Sequence, residues 1–149
     1  MNIRNAKIED EKDILDWRNN INSRKASKNK NLINKEDHNI WFKKALENNN
    51  IFLYIGIKNN IKLGVVRFDC NFHTMESEVS INLNPKMRGK GISFDLLRLS
   101  INKATQLKII LFRATIKEGN NISKNIFEKC GFIFKYYDNG FNFFTLNNK

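Results

Sequence analysis

The stretch Asn84-Pro85-Lys86-Met87-Arg88-Gly89-Lys90-Gly91-Ile92-Ser93 restricts the fold most, because it joins an alternating strand to an apolar helix through two closely spaced glycines. Before it, Val79, Ile81 and Leu83 alternate with Ser80 and Asn82, the period of a half-buried strand, and Pro85 supports the strand end. After it, Phe94, Leu97, Ile101 and Ala104 recur at helical spacing, with Leu96 and Leu99 widening the stripe. A loop between strand and helix lies where the first-turn N–H groups lack intrahelical acceptors and the helix dipole is positive. Glycines at 89 and 91 remove the Cβ atoms that would hold a ligand oxygen away from that backbone. Such a joint is suited to a phosphate.

Counting residues separates this loop from two other phosphate loops. A Walker A loop needs a glycine five positions before its G-K pair, and none stands there; a dinucleotide fingerprint needs a third glycine where Phe94 stands. The remaining R-G-K-G, with Met87 or Arg88 opening the loop, resembles the pyrophosphate loop of the GCN5-related N-acetyltransferase superfamily, [RQ]-x-x-G-x-[GA]. Downstream, Asn120-Asn121-Ile122-Ser123-Lys124-Asn125-Ile126-Phe127-Glu128-Lys129-Cys130-Gly131-Phe132 is similar to the second signature of that superfamily, N-x-x-S-x-x-[LI]-[YF]-x-K-x-G-F. Here Ile122, Ile126, Phe127 and Cys130 form a helix stripe, and Gly131 sits where a left-handed cap is favoured. Between the signatures, Ile109-Ile110-Leu111-Phe112 reads as a strand buried on both faces.

The resemblance spans the chain and implies an α/β fold: a mixed, mostly antiparallel sheet of about seven strands with a central parallel, splayed pair and helices on both faces. It implies acetyl-CoA as co-substrate, no metal, and direct acetyl transfer to an amine. Residues carried over as cofactor-binding are Ile81, Leu83, Met87, Arg88, Gly89, Lys90, Gly91, Ile92, Ser93, Asn120, Ser123 and Phe127. An ammonium has no lone pair, so a base must take its proton. Glu78 stands where many members carry that carboxylate, with Glu76 on the same strand face; a solvent-facing glutamate is the alternative for each. Backbone N–H groups around Asn82 to Asn84 would stabilise the thioester oxygen. Many members protonate the departing thiolate with a tyrosine at the position of Phe127, which cannot do so; water, Ser123, Tyr136 or Tyr137 remain as donors.

The acceptor is addressed by the N-terminal half. Trp17-Arg18-Asn19, Arg24, Ser27, His38-Asn39-Ile40-Trp41-Phe42 and Gly64-Val65-Val66-Arg67-Phe68-Asp69 resemble the acetyltransferases that modify the 4-amino group of a UDP-linked 4-amino-trideoxyhexose on the route to pseudaminic acid. The resemblance implies Trp17, Arg18, Arg24, His38, Trp41 and Arg67 as substrate-binding residues, with Asp69 as a partner for Arg67. Arginine offers forked donors for phosphate or uracil oxygens, and tryptophan a face for a ring. Core packing is the competing reading of Trp17 and Trp41, and capping or packing that of His38. Two other functions stand beside it: acetylation of a protein amine, as in ribosomal-protein N-acetyltransferases, and a non-catalytic module that binds coenzyme A or nucleic acid.

A net charge of +11 invites a nucleic-acid reading, but the lysines far outnumber the arginines and are spread through the chain among Asn and Ile, and the Arg24 to Lys30 segment has no aromatic stacking residue. Arg24 to Lys30 is the one basic segment, read either as a solvated loop or as facing an anion. At 149 residues the chain fits a single domain, 1–149. No run reaches the roughly 18 apolar residues of a membrane span and the N-terminus lacks the apolar core of a signal peptide, so a cytoplasmic enzyme away from membranes is expected. Cys70 and Cys130 read as free thiols. The oligomeric state is left open, a homodimer included. Periodicity predicts strands at 3–6, 51–57, 62–70, 76–83 and 108–116, helices at 10–20, 35–48, 91–105 and 120–130, and a terminal hairpin about Asp138-Asn139-Gly140. Residues 23–34 read as polar loop, and Ile40, Trp41, Ala45 and Leu46 as the buried side of their helix.

Overall fold

The computed structural model describes residues 1–148. Its centre is a seven-stranded sheet: β1 (Asn2–Asn5), β2 (Ile51–Lys58), β3 (Ile61–Asn71), β4 (Glu76–Leu83), β5 (Leu111–Lys117), β6 (Ile133–Asp138) and β7 (Phe141–Asn147). The order is β1-β2-β3-β4-β5-β7-β6, antiparallel throughout except for the parallel pair β4 and β5. The β2–β3 and β6–β7 hairpins close through residues that accept a left-handed backbone, Asn59 and Asn60 (φ 52° and 63°) and Asn139 and Gly140 (φ 47° and 88°).

Helices α1 (Glu11–Asn19), α2 (Ile21–Ala26), α3 (Lys35–Glu47), α4 (Ile92–Ala104) and α5 (Asn121–Lys129) lie on both faces. On one face Val66, Phe68, Val79, Phe112, Ala114 and Ile116 meet Leu96, Leu97 and Ile101 of α4 and Phe127 of α5. On the other, Leu53, Ile55 and Val65 meet Ile14 and Trp17 of α1 and Phe42 and Ala45 of α3. The second layer covers the β2–β3 half of the sheet. Beyond it, the same face of β4, β5 and β7 carries polar and aromatic side chains, and this is where the candidate site lies.

α4 reaches the sheet through a slot without side chains. Gly56 and Gly64 are cross-strand partners, and a Cβ on Gly56 would stand 2.5 Å from Leu96 Cδ1. A Cβ on Gly64 would stand 2.8 Å from the Asn82 carbonyl oxygen and 3.0 Å from Leu83 Cα. At the entry to α1, Asp10 is 1% exposed and takes bonds from Arg4 (2.7 and 2.9 Å), Lys62 (2.8 Å) and the Lys7 N–H (2.8 Å). Burial alone would raise the Asp10 carboxyl, but these donors together hold it well below the usual carboxylate range.

Four expectations need correction. Residues 21–26, read largely as loop, form α2, capped by Asn20, whose side chain accepts from the Asn22 N–H. In α3 the buried side is His38, Phe42 and Ala45, while Ile40 and Leu46 are exposed, because the large Phe42 ring sets the phase. Ile122 is 78% exposed, since the first turn of α5 overhangs the core. β5 begins at Leu111, and Ile110 is exposed because no helix covers that part of the second face.

Candidate active site

The parallel ladder between β4 and β5 is short. Glu76 pairs with Leu111, Ser77 with Phe112 and Glu78 with Arg113, and there the pairing ends although both strands continue. β4 keeps its pairing with β3 to Leu83, and β5 keeps its pairing with β7 to Lys117, so the two halves of the sheet part beyond Glu78. Among the described residues, main-chain groups along the parting have no strand partner, and the antiparallel ladder tells which ones. The Asn84 N–H donates to the Leu63 carbonyl at 2.9 Å, so alternate residues from Asn84 point toward β3. Val79, Ile81 and Leu83 therefore aim theirs into the gap. Within the expected Asn82 to Asn84 stretch only Leu83 offers an N–H there, since Asn82 and Asn84 face β3.

Glu78 stands at the apex of the gap. Its Oε1 accepts from the Thr115 hydroxyl at 2.9 Å, a bond that crosses from β4 to β5 just past the last paired residues. The carboxylate is thus oriented from the far strand and keeps its second oxygen for a proton. Arg113, opposite Glu78, is exposed, and Asp69 is the β3 neighbour of Glu78.

At the open end of the gap lies the glycine loop. A short 3-10 turn over Pro85–Met87, capped by Asn84, leads to Gly89 and Gly91, both left-handed at φ 76° and 72°. Gly91 is the N-cap of α4 and supplies no capping side chain, so the first N–H groups of the helix are without a side-chain acceptor. A Cβ at either glycine would meet nothing within 4 Å; the space it would enter is the space an anion needs. Lys58, Lys90 and Arg98 line a hollow beside Gly91 and Ile92.

α2 lies across the second face of the gap. Ser23 donates to Asn82 Oδ1 of β4 (3.0 Å), and the Lys25 carbonyl accepts from Lys117 Nζ of β5 (2.8 Å). Arg88 of the loop donates to Ser23 Oγ (2.6 Å) and Asn20 Oδ1 (3.3 Å), tying loop to cover. A strand parting at a carboxylate, with a phosphate-ready helix start at its mouth, fits a thioester donor carried on a pyrophosphate.

The model of the acetyltransferase (GNAT) domain family matches residues 1–133. The chain belongs to this family. Among solved structures, the ribosomal-protein-alanine N-acetyltransferase of Brucella melitensis superposes with a TM-score of 0.84 at 20% identity, over 99% of this chain and 100% of that one. The spermidine N-acetyltransferase of Vibrio cholerae in complex with CoA and spermine gives 0.85 at 17% identity, over 98% and 94%. An N-acetyltransferase of Staphylococcus aureus Mu50 gives 0.80 at 23% identity, over 98% and 97%. No curated protein matches the chain. The acetyltransferase is accordingly an acetyl-CoA-dependent N-acyltransferase with the GNAT fold.

The residues fit acetyl-CoA as donor substrate. The backbone from Arg88 to Ser93 would take the pyrophosphate, and the free edge at Val79, Ile81 and Leu83 would take the pantetheine amides as a neighbouring strand would. The Arg88 side chain is committed to Ser23 and Asn20, so its part in the loop is main-chain. Asn120 caps α5 by accepting from the Ser123 N–H (3.2 Å), and both side chains sit half-buried at that helix start.

Several expected contacts are redirected by packing. Phe127 is 3% exposed, edge-on to Phe132 at 5.0 Å, and lies in the core rather than on the cleft. Trp17 is 5% exposed among Ile14 and Phe42, and its ring is core. His38 is also buried, stacked near Phe42 and 3.7 Å from Glu11; burial lowers its pKa against the opposing pull of Glu11. Trp41 and Arg67 do come together, the guanidinium 4.8 Å above the indole, but Arg67 is also paired with Asp69 at 2.9 Å. Arg18 donates to Ser27 Oγ (2.6 Å) and the Asn29 carbonyl (3.1 Å), bracing the segment after α2. Tyr136 lies on β6, two strands from β5 across β7, and Tyr137 donates to Glu118 (3.1 Å), so neither hydroxyl stands at the gap. Thr115 was missed. The alternation Phe112, Ala114, Ile116 would have put Thr115 on the face opposite the core, but only the pairing register brings it to Glu78.

Proposed function

We propose that the acetyltransferase transfers the acetyl group of acetyl-CoA to the amino group of a nucleotide-linked amino sugar, of the UDP-4-amino-4,6-dideoxy type used in bacterial surface glycans, by direct attack in a ternary complex. One observation carries the reading. On α1 and on the α2 cover of the gap respectively, Arg18 Nη1 and Arg24 Nε are buried with no hydrogen-bond partner among the described residues. A buried charged donor left unpaired costs about 1–3 kcal/mol or more, and an anionic acceptor rich in oxygens supplies the missing acceptors. The net charge of +11 favours the same class of acceptor and disfavours a polycation such as a polyamine.

The chemistry then follows from Glu78. It accepts a proton from the acceptor ammonium, directly or through water, and the freed lone pair attacks the thioester carbonyl carbon. The C–N bond forms, a main-chain N–H on the free edge of β4 faces the developing oxyanion, and the C–S bond breaks to release the thiolate of coenzyme A. The attacking nitrogen's second proton passes through water to that thiolate, since Phe127 is buried and carries no donor. Acetylation of a peptide amine is the second reading, supported by the likeness in fold to the ribosomal-protein-alanine enzyme.

The test is release of free thiol from acetyl-CoA with a UDP-4-amino sugar, a peptide amine, spermidine or no acceptor. Sugar-dependent release that falls roughly a hundredfold in Glu78→Gln is expected. Turnover with the peptide alone would overturn the reading.

A further inference from the structure

We propose that the acetyltransferase holds the nucleoside diphosphate of its acceptor on the β5–β7–β6 side of Glu78, with Lys28, Lys30 and Lys117 toward the phosphates and Phe141, Phe143 and Tyr136 toward the base. The inference rests on the nucleotide-linked acceptor just proposed and assigns where the nucleotide lies.

The pairing register carries it. Thr115, which holds Glu78, pairs with Phe143, and Phe143 pairs with Tyr136. Directly paired residues share a face, so this row continues outward from the carboxylate. The rings of Phe143 and Tyr136 are stacked with centroids 4.5 Å apart and planes 9° apart, and Tyr136 remains 55% exposed. The platform thus begins one strand from Thr115 and ends about 10 Å away, a span that a hexose and a diphosphate bridge together.

Cations flank it. The next pair on the same face is Lys117 with Phe141, and the Lys28 ammonium lies 5.5 Å from the centroid of the Phe141 ring. Lys117 donates to the Lys25 carbonyl, which holds it against the cover segment. Desolvation and the neighbouring ammonium of Lys30 both pull its pKa down, so two like charges lie close together here. The carboxylate on this face of the hairpin is Asp138, opposite Phe141, and three lysines outweigh it. On the other side of Glu78, Arg67 is already neutralised by Asp69 and covered by Trp41. Lysine takes phosphate as a point charge, and any base stacks on an aromatic face, so cations beside stacked rings match a diphosphate joined to a base.

The test is calorimetric titration of UDP, and of inorganic pyrophosphate, into protein saturated with CoA so that the glycine loop is filled. Saturable UDP binding is expected, weakened at least tenfold by Tyr136→Ala and by Lys30→Ala. Pyrophosphate binding should weaken in Lys30→Ala and not in Tyr136→Ala. Lys30 is exposed, so its variant does not disturb the fold as Lys117→Ala could; Lys117→Ala is read only where its melting temperature is that of the wild type. No saturable UDP binding, or wild-type affinity for UDP in both variants, overturns the site. Wild-type turnover of the UDP-amino sugar with that result leaves the acceptor reading standing. UDP binding through these residues without such turnover keeps the site and removes the reading.

Discussion

Thr115→Val keeps the shape of the side chain and deletes the hydroxyl that donates to Glu78 Oε1 at 2.9 Å. A hydrogen bond to a charged group contributes about 1.5–3 kcal/mol. Glu78 is half-buried, so water replaces part of the loss, and the lower end applies. About 1.4 kcal/mol is tenfold in rate. We therefore expect kcat to fall about tenfold, with KM for acetyl-CoA unchanged because Thr115 is remote from the glycine loop. The cycle with Glu78→Gln makes the argument sharp. If Thr115 acts only by orienting that carboxylate, the double variant is no slower than Glu78→Gln alone. Initial rates of thiol release for the four proteins at saturating acetyl-CoA decide it. Losses that multiply, to roughly a thousandfold, would make Thr115 an independent participant; a wild-type kcat in Thr115→Val would refute the positioning role.

Gly89→Val forces a β-branched residue to φ 76° and fills the open space above the loop, so calorimetry should show acetyl-CoA binding weakened roughly tenfold or more, and unchanged affinity would place the pyrophosphate elsewhere. Asp10→Asn strips the charge that Arg4 and Lys62 share; because those partners are 30% and 28% exposed and rehydrate, the expected loss is about 2–3 kcal/mol, the low side of a broken buried pair. The Asp10 carboxyl is held below its unfolded value near 3.9, so its contribution is complete above about pH 5 and fades as pH falls below about 4. Chemical denaturation of both proteins should give a constant difference at neutral pH that shrinks toward pH 3; a difference that ignores pH would assign the loss to packing. Burial pushes the Cys130 thiol up to about 11 against a small opposing pull from Arg98, so iodoacetamide at pH 8 should label it far more slowly than a free thiol, and rapid labelling would contradict that burial.

The donor half of this enzyme was legible because it is local. The alternation from Val79 to Leu83, the two glycines, the apolar stripe of α4 and the signature from Asn120 to Phe132 lie in contiguous runs, and each sets its own backbone. The strand bounds of β4 and the turns at Asn59-Asn60 and Asn139-Gly140 follow from the same short-range rules. The acceptor half depends on what distant segments bring together. Trp17 and Phe127 carry the right chemistry for a ligand and are used for the core, because the sheet needs large side chains where α1 and α5 cross it. Thr115, Lys117 and Phe143 carry no motif, and become a row with Glu78 only through pairing of strands far apart in sequence. Arg88 matches the loop pattern, yet its side chain serves α2, a helix too short to leave a periodic trace.

The glycine at 64 governs more than the seat of α4. Its missing Cβ lets β3 approach the Asn82 carbonyl and Leu83 Cα from behind, while the opposite edge of that same short segment forms one wall of the cleft. A methyl group there has backbone to push against, and with no strand bracing β4 beyond Glu78, the easy direction of travel is toward β5. The width of the gap between β4 and β5 is therefore set in part from the side that does not line it. Gly64→Ala would narrow the cleft without altering any residue in it, a means of tuning donor access that leaves the reacting groups as they are.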